Sequence, residues 1–426
     1  MTLTVFLGSL LAAMAIGMPI AFALLASGVA LMLYQGIFDS QIIAQNFING
    51  ADNFPLMAIP FFILAGELMS IGGISKRIIG FALALVGHIR GGLGYVAILG
   101  AILFAGLSGS AVADTAALGA ILIPMMVQAG YDRNRSTGLI AAGGIIAPII
   151  PPSIPMIIFG VTSGVSITKL FMAGIVPGLL IGLGLAIVWW IVSRKENIEV
   201  LPRKSFKEIL QATKQAFWGL MLPLIIIVGL RGGIFTPTEA GVVAAFYALF
   251  VGVVIYREIN LKELYKAFNT SAKMTSVVMF LVAAAMVSAW LITVANIPGE
   301  ITQMLTPFMD NPLLLLIAIN VIILLVGTAM DLTPTILILT PVLMPVVEMA
   351  GIDPVYFGVL FVLNNCIGLL TPPVGVVLNV ACGVGKIGME DIMKGIWPFL
   401  LVEILVLVLL ILFPSIVTVP LEFLTD

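Results

Sequence analysis

The chain has 426 residues, 61% apolar and only 9% charged, with a formal net charge of −2 and a mean hydropathy of +1.22. Soluble domains carry about 25% charged residues, so a water-soluble globular fold is excluded; no basic stripe is long enough to neutralise a run of phosphates, which excludes nucleic acid. The composition demands an all-α polytopic protein with the lipid bilayer as its solvent.

The first apolar stretch, residues 3 to 34, would be roughly 50 Å long as one helix at about 1.5 Å per residue, more than a ~30 Å hydrocarbon core. Gly17-Met18-Pro19 is where it should break. It has neither a basic start nor a small-residue cleavage pattern, and reads as part of the mature fold rather than a signal peptide. Apolar segments follow at 55–71, 78–87, 93–107, 115–129, 137–163 and 170–192. Then comes the one long hydrophilic stretch, 193–214, with Arg194, Lys195, Arg203, Lys204, Lys207 and Lys214, which the positive-inside rule puts in the cytoplasm. After it come segments at 216–230, 237–255, 275–295, 312–327, 335–350, 355–384 and 396–419. The turn carrying Arg257, Lys262, Lys266 and Lys273 lies two helices beyond the basic stretch, as it should if both are cytoplasmic. Cys366 and Cys382, both in apolar segments, are too few for a disulfide framework or a zinc cluster.

The halves on either side of the basic stretch match. An offset of 221, without a gap, superposes Pro124 on Pro345, Gly130 on Gly351, Asp132 on Asp353, Pro151-Pro152 on Pro372-Pro373, Gly174 on Gly395 and Pro177 on Pro398. Between Gly106 and Leu179 there are 17 identities in 74 positions, many of them Gly or Pro, whose backbone restrictions general hydrophobicity does not imitate. The first copy carries Lys76, Arg77, Arg90, Arg133 and Arg135 where the second has no Lys or Arg, so corresponding loops should face opposite sides. Inverted repeats are the architecture of secondary transporters.

Two interruptions recur in each copy. The first is the polar segment 106–115, paired with 327–335; its flanking apolar arms are too short to span, which predicts a re-entrant hairpin with its tip at a wet or protein-lined site. The second is a broken helix at Pro151-Pro152, within 137–163, and at Pro372-Pro373, within 355–384. A double proline removes two amide donors and leaves carbonyls such as those of Ala147, Ile150, Gly368 and Thr371 without helical partners, which suits a hard cation such as Na+. Opposite half-helix ends, with free amides, suit an anion. Asp331, a carboxylate in an apolar stretch, is the strongest single candidate, and its mate is Ser110. Asp114 reads as a tip ligand or, preferably, as the cap of the next helix; Ser108, Ser110, Thr115 and Thr328 as site hydroxyls or helix back-bonders. Asn364-Asn365 either reach an ion or bond across helices. Glu67, Glu239 and Glu348 read as helix-end or interfacial groups and His88 as solvated. With no P-loop, zinc motif or nucleophile elbow, the chain is read as not an enzyme; the remote alternative is an intramembrane aspartyl protease with Asp114 and Asp331 as its dyad.

The runs PFFILAGELMSIGG (60–73), GLSGSAVADTAALG (106–119), GGIIAPIIPPSIPMIIFG (143–160), FTPTEAG (235–241), MDLTPTILILTPVLMP (330–345) and GLLTPPVGVVLNV (368–380) resemble the large membrane subunit of tripartite ATP-independent periplasmic (TRAP) transporters, across essentially the whole chain. The resemblance implies an elevator-type ion-transporter superfamily fold. Scaffold helices would be 1–92 and 215–311, transport-domain halves 93–192 and 312–426, and the cytoplasmic linker 193–214. It implies sodium coupling, a multi-pass location in the bacterial inner membrane, a separate small four-helix membrane subunit and a periplasmic substrate-binding protein that delivers an organic acid. Substrate contacts carry over to Ser110, Ser153 and Asp331. The candidate sodium ligands are Ser108, Ala147, Ile150 and Pro152 at the first junction and Gly327, Ala329, Gly368, Thr371 and Pro373 at the second. Sialic acid or another sugar acid is favoured over a C4-dicarboxylate, because Asp331 would repel a second carboxylate and accept hydroxyl donors. A single-component sodium/carboxylate symporter is the alternative; a channel fits less well, since two occluding hairpins leave no obvious pore.

Overall fold

The computed structural model describes residues 1–194, 200–309 and 311–425. Lys195, one of the basic residues assigned to the linker, lies outside the described residues. All described regular structure is helical: α1 (Thr2–Ala15), α2 (Ile20–Gln35), α3 (Ser40–Ala51), α4 (Ala58–Ile71), α5 (Ile74–Val86), α6 (Gly92–Ser108), α7 (Ala111–Gln128), α8 (Arg133–Gly144), α9 (Ile154–Ser163) and α10 (Ile167–Ser193) in the first half. In the second are α11 (Phe206–Arg231), α12 (Pro237–Phe250), α13 (Leu261–Val294), α14 (Ile297–Met309), α15 (Pro312–Gly327), α16 (Leu332–Met349), α17 (Pro354–Gly368), α18 (Val376–Gly385), α19 (Met389–Leu412) and α20 (Ser415–Thr425). Eight helical stretches are long and apolar enough to cross a bilayer.

The 221-residue spacing governs the whole chain, beyond the stretch in which identities are dense. Shifted by it, α5 through α10 fall on α14 through α19 in order, to within a few residues at each end. The caps repeat as well: Asp39 and Asn260 each cap a helix start, as do Asp132 and Asp353, and the turns at Gly130 and Gly351 both take the left-handed backbone that glycine allows. Both double prolines contain a cis peptide bond. The copies also differ between the third and fourth helices of the first. Asp52 to Pro55 interrupt α3 and α4 ahead of a short 3-10 turn at Phe54–Met57, whereas the equivalent stretch of the second copy is the single 34-residue α13.

α3 and α14 are helices that apolar runs alone do not mark. Their polar residues (Gln41, Gln45 and Asn46; Glu300, Thr302 and Gln303) dilute the hydropathy while leaving an apolar stripe at helical spacing. The break at Gly17-Met18-Pro19 is where it was expected, with Gly17 in the left-handed region and Pro19 as the cap of α2.

Loops that charge assigns to the cytoplasm meet in the structure. Arg77 pairs with Glu258 at 2.6 Å and lies 3.8 Å over the Tyr256 ring, and Arg90 donates to the Arg194 carbonyl at 3.1 Å. Behind that face, Trp189 of α10 is fully buried; its indole N–H donates to the Gly91 carbonyl at 2.8 Å, and its ring stacks on Tyr131 and tilts against Phe399 of α19. A Cβ at Gly94 would lie inside that ring. Trp189→Ala is therefore expected to cost about 3–5 kcal/mol, read as a lowered unfolding midpoint of the detergent-purified chain, while Gly8→Ala, at a helical site with open space, does not lower it.

The second arm of each hairpin is covered by the other copy. α7 packs against α18, the helix after the second break, and α16 packs against α9, the helix after the first. Phe159 of α9 also joins Phe357 and Phe361 of α17, so the two breaks share one apolar core.

Candidate functional site

At the first tip, α6 ends on Gly109 with φ +61°, and Ser110 caps α7 by accepting from the Ala113 amide. Ser108 Oγ accepts from the Ser110 amide at 3.1 Å and donates to Asp114. Asp114 therefore does not cap α7, contrary to the preferred expectation. It sits in the first turn of α7, where its carboxylate takes the Ser108 hydroxyl, and it is 1% exposed with Oδ2 unpartnered. The tip presses directly on the first break: a Cβ at Gly109 would come 2.7 Å from the Pro152 carbonyl oxygen.

The first break is buried throughout. Among the described residues no hydrogen bond is made to the carbonyls of Ala147, Ile150 or Pro152; Ala147 loses its helical donor to Pro151, and Ile150 and Pro152 lie in the non-helical turn between α8 and α9. Ser153 was expected to touch substrate; its hydroxyl is buried, donates to the Pro148 carbonyl and accepts from the Met156 amide, capping α9. Thr115 Oγ1, fully buried and unpartnered, faces Gly144 at the end of α8.

The second junction repeats this plan with other groups. The Thr328 carbonyl accepts from the Val374 amide at 3.1 Å, tying tip to break, and the backbones of Gly327 and Gly368 cross so closely that a Cβ on Gly368 would lie 2.6 Å from the Gly327 carbonyl carbon. Thr371 and Pro373 carbonyls are free of hydrogen bonds among the described residues. The Gly368 carbonyl, expected to lack a partner, accepts from the Thr371 amide at 2.9 Å in a tight turn, which uses one of its two lone pairs. Asn365 Oδ1 is buried, unpartnered and aimed at Gly327. Its neighbour Asn364 instead bonds across helices, donating to Asn320. Buried oxygens with no partner thus lie at both junctions, Asp114 Oδ2 and Thr115 Oγ1 at the first and Asn364 Oδ1 and Asn365 Oδ1 at the second, each near a break whose backbone carries carbonyls without hydrogen bonds.

The junctions differ in cover. The first lies under α4 and α11, with Gly66 against the Leu107–Ser108 backbone and Pro223 against Gly106. At the second, Ala329, Asp331, Pro372 and Pro373 are exposed. Asp331 caps α16, accepting from the Leu332 amide at 2.8 Å, and the rest of its carboxylate faces outward.

A cavity of about 100 Å³ lies beside the first tip, lined by Ser108, Ser110 and Asp114 of the hairpin and by Glu67, Ser70 and Ser75 of α4 and α5. Asp331 is not among its lining residues. Glu67, four residues before the end of α4, lines this cavity; the helix-end reading holds for Glu239, which forms a capping box with Thr236, and for Glu348 in the last turn of α16. The sequence reading passed over Glu403, fully buried in the middle of α19 with neither oxygen partnered. The signal that singled out Asp331, a carboxylate inside an apolar run, was there to find it. Among the described residues no cluster of three or more His, Cys, Asp and Glu side chains is placed to hold a metal.

Residues 7–416 match the family model described as tripartite ATP-independent periplasmic transporter, DctM component. The chain belongs to this TRAP family. Over 99% of its length it is 56% identical to the whole of the 2,3-diketo-L-gulonate TRAP transporter large permease protein YiaN of Escherichia coli K12. It is 41% identical to the sialic acid TRAP transporter large permease SiaM of Vibrio cholerae, over 94% of the chain and 93% of that protein. It is 40% identical to the C4-dicarboxylate TRAP transporter large permease DctM of Pseudomonas aeruginosa, over 88% of each. The fold is similar to the crystal structure of the Alcanivorax borkumensis YdaH transporter, with a TM-score of 0.63, 16% identity and coverage of 89% and 88%. A TRAP large permease is a multi-pass transporter component and not an enzyme, so the aspartyl-protease alternative falls.

Proposed function

We propose that this TRAP permease is the sodium-coupled membrane component of a bacterial inner-membrane importer for a hydroxylated sugar-acid monoanion, working with a separate small membrane subunit and a periplasmic binding protein. The observation that carries the coupling is that unpartnered, fully buried oxygens, Thr115 Oγ1 and Asn365 Oδ1 among them, lie at both tip–break junctions. Unsatisfied buried acceptors are costly unless something positive meets them. The first junction would hold its ion with the carbonyls of Ala147, Ile150 and Pro152, the Ser108 turn and Thr115. The second would do so with Gly327, Ala329, Gly368, Thr371, Pro373 and Asn365. Bound sodium supplies the positive charge that lets an anion sit among half-helix ends.

Asp331 supports the substrate class. An outward-facing carboxylate accepts hydroxyl donors and repels a second negative charge, which suits a polyol monocarboxylate and disfavours a dicarboxylate. The 56% identity to a permease named for diketogulonate, against about 40% for those named for sialic acid and C4-dicarboxylate, points the same way. Ser110, at the mouth of the first tip, is the hydroxyl placed to meet the solute, while Ser153 acts by fixing the start of α9. In the elevator reading the body that moves is α6–α10 with α15–α20, and it slides against α1–α5 and α11–α14.

Proteoliposomes carrying the chain, the small subunit and the binding protein should take up labelled 2,3-diketo-L-gulonate when an inward sodium gradient is imposed. Equal uptake in potassium-only buffer would reject the coupling, and equal uptake without the binding protein would make the chain a single-component symporter. Faster uptake of succinate would reverse the substrate assignment.

A further inference from the structure

The cavity beside the first tip is distinct in its chemistry from both junctions. Its oxygens come from side chains rather than freed carbonyls: two carboxylates, Glu67 and Asp114, and the hydroxyl residues Ser70, Ser75, Ser108 and Ser110 around about 100 Å³. That volume has room for several waters but not for a sugar acid. Asp114 is 1% exposed, its Oδ1 takes the Ser108 hydroxyl and its Oδ2 has no protein partner. Lys266 of α13 is the basic side chain that acts on Glu67 electrostatically, and no cation touches Asp114 among the described residues. Two carboxylates and four hydroxyl residues share a small cavity whose remaining walls are apolar and, with one carboxylate oxygen left bare, leave a charge for a hard monovalent cation to neutralise.

We infer that this cavity is a third sodium site, formed between Glu67 of α4 and Asp114 of α7. Its position gives it a second property. Glu67 belongs to the first five helices and Asp114 to the hairpin, and a Cβ added at Gly66 of α4 would lie 3.6 Å from the Leu107 carbonyl oxygen and Ser108 Cα. An ion here bridges the two bodies and favours the arrangement in which the first tip is covered and the second exposed. The binding site stands on the cavity alone; its tethering role rests on the proposed reading in which the hairpin travels.

Equilibrium binding of 22Na+ to the detergent-purified full chain tests the site, with Glu67→Gln and Asn365→Ala compared. Glu67→Gln should bind one sodium fewer than the parent chain. Asn365→Ala removes an unpartnered side-chain oxygen of the second junction and reports on it separately, so loss of that reading would leave the Glu67 effect standing. A measurement on the unmodified chain guards against misfolding of the variant: modification of Glu67 by dicyclohexylcarbodiimide, followed by peptide mass mapping, should slow about tenfold in sodium at ten times its dissociation constant, and not in potassium. An unchanged sodium count in Glu67→Gln, or equal labelling of Glu67 with and without sodium, overturns the proposal.

Discussion

Asp331→Asn should reduce uptake by about a hundredfold, the weight of one to two charge-assisted hydrogen bonds at about 1.5–3 kcal/mol each, without unfolding the protein. The choice of Asn follows from the structure. Asp331 caps α16, and Asn is as good a cap as Asp, so this variant removes the charge and keeps the helix start. Asp331→Ala removes both, and should lose uptake together with about 1 kcal/mol of stability, read as a small drop in unfolding midpoint. Uptake by Asp331→Asn at the parental rate would take this carboxylate out of the solute site and the substrate preference with it.

Gly368→Ala should damage the second junction directly. The added Cβ would lie 2.6–2.9 Å from the carbonyl carbon, Cα and oxygen of Gly327, and a crossing backbone has no rotamer with which to move aside. The expected cost is about 1–3 kcal/mol, concentrated on the contact between second tip and second break; under the proposed sodium reading, the stabilisation expected from added sodium should shrink with it. Gly383→Ala in α18 is the matched control, since nothing lies within 4 Å of its Cβ and alanine favours the helix. If both variants melt alike with and without sodium, the crossing at Gly327 and Gly368 is not part of an ion site.

What the sequence discloses here divides along a physical line. Glycine and proline write backbone geometry directly into the chain, so the hairpin tips, the double-proline breaks, the interruption at Gly17-Met18-Pro19 and the 221-residue spacing could all be read from residue order. Partnering between helices is not written that way. Whether Glu67 faces lipid, a loop or a cavity depends on which neighbour α4 receives, and it receives the tip of a hairpin whose first helix starts at Gly92, beyond the intervening α5. Asp114 was read by its distance from the tip as a cap, but Ser110 already occupies that position and frees the carboxylate for Ser108 and the cavity. The same limit explains Thr115 and Asn365. Each is one polar residue among several in its segment, and only the packing of α7 on α8 and of the second tip on α17 leaves their oxygens bare.

The exchange of cover between copies, α7 on α18 and α16 on α9, means that neither half-chain is a self-sufficient unit. Isolated, a half would present its post-break helix to the bilayer and would find a lid only in a copy inserted upside down. The full chain therefore works as a covalently fused antiparallel dimer, in which the basic tether fixes both a one-to-one stoichiometry and the opposed insertion of its members. Fusion also released the two members from having to be identical, which is how one carries the interrupted α3–α4 pair and Glu67 while the other carries the unbroken α13 and an exposed Asp331.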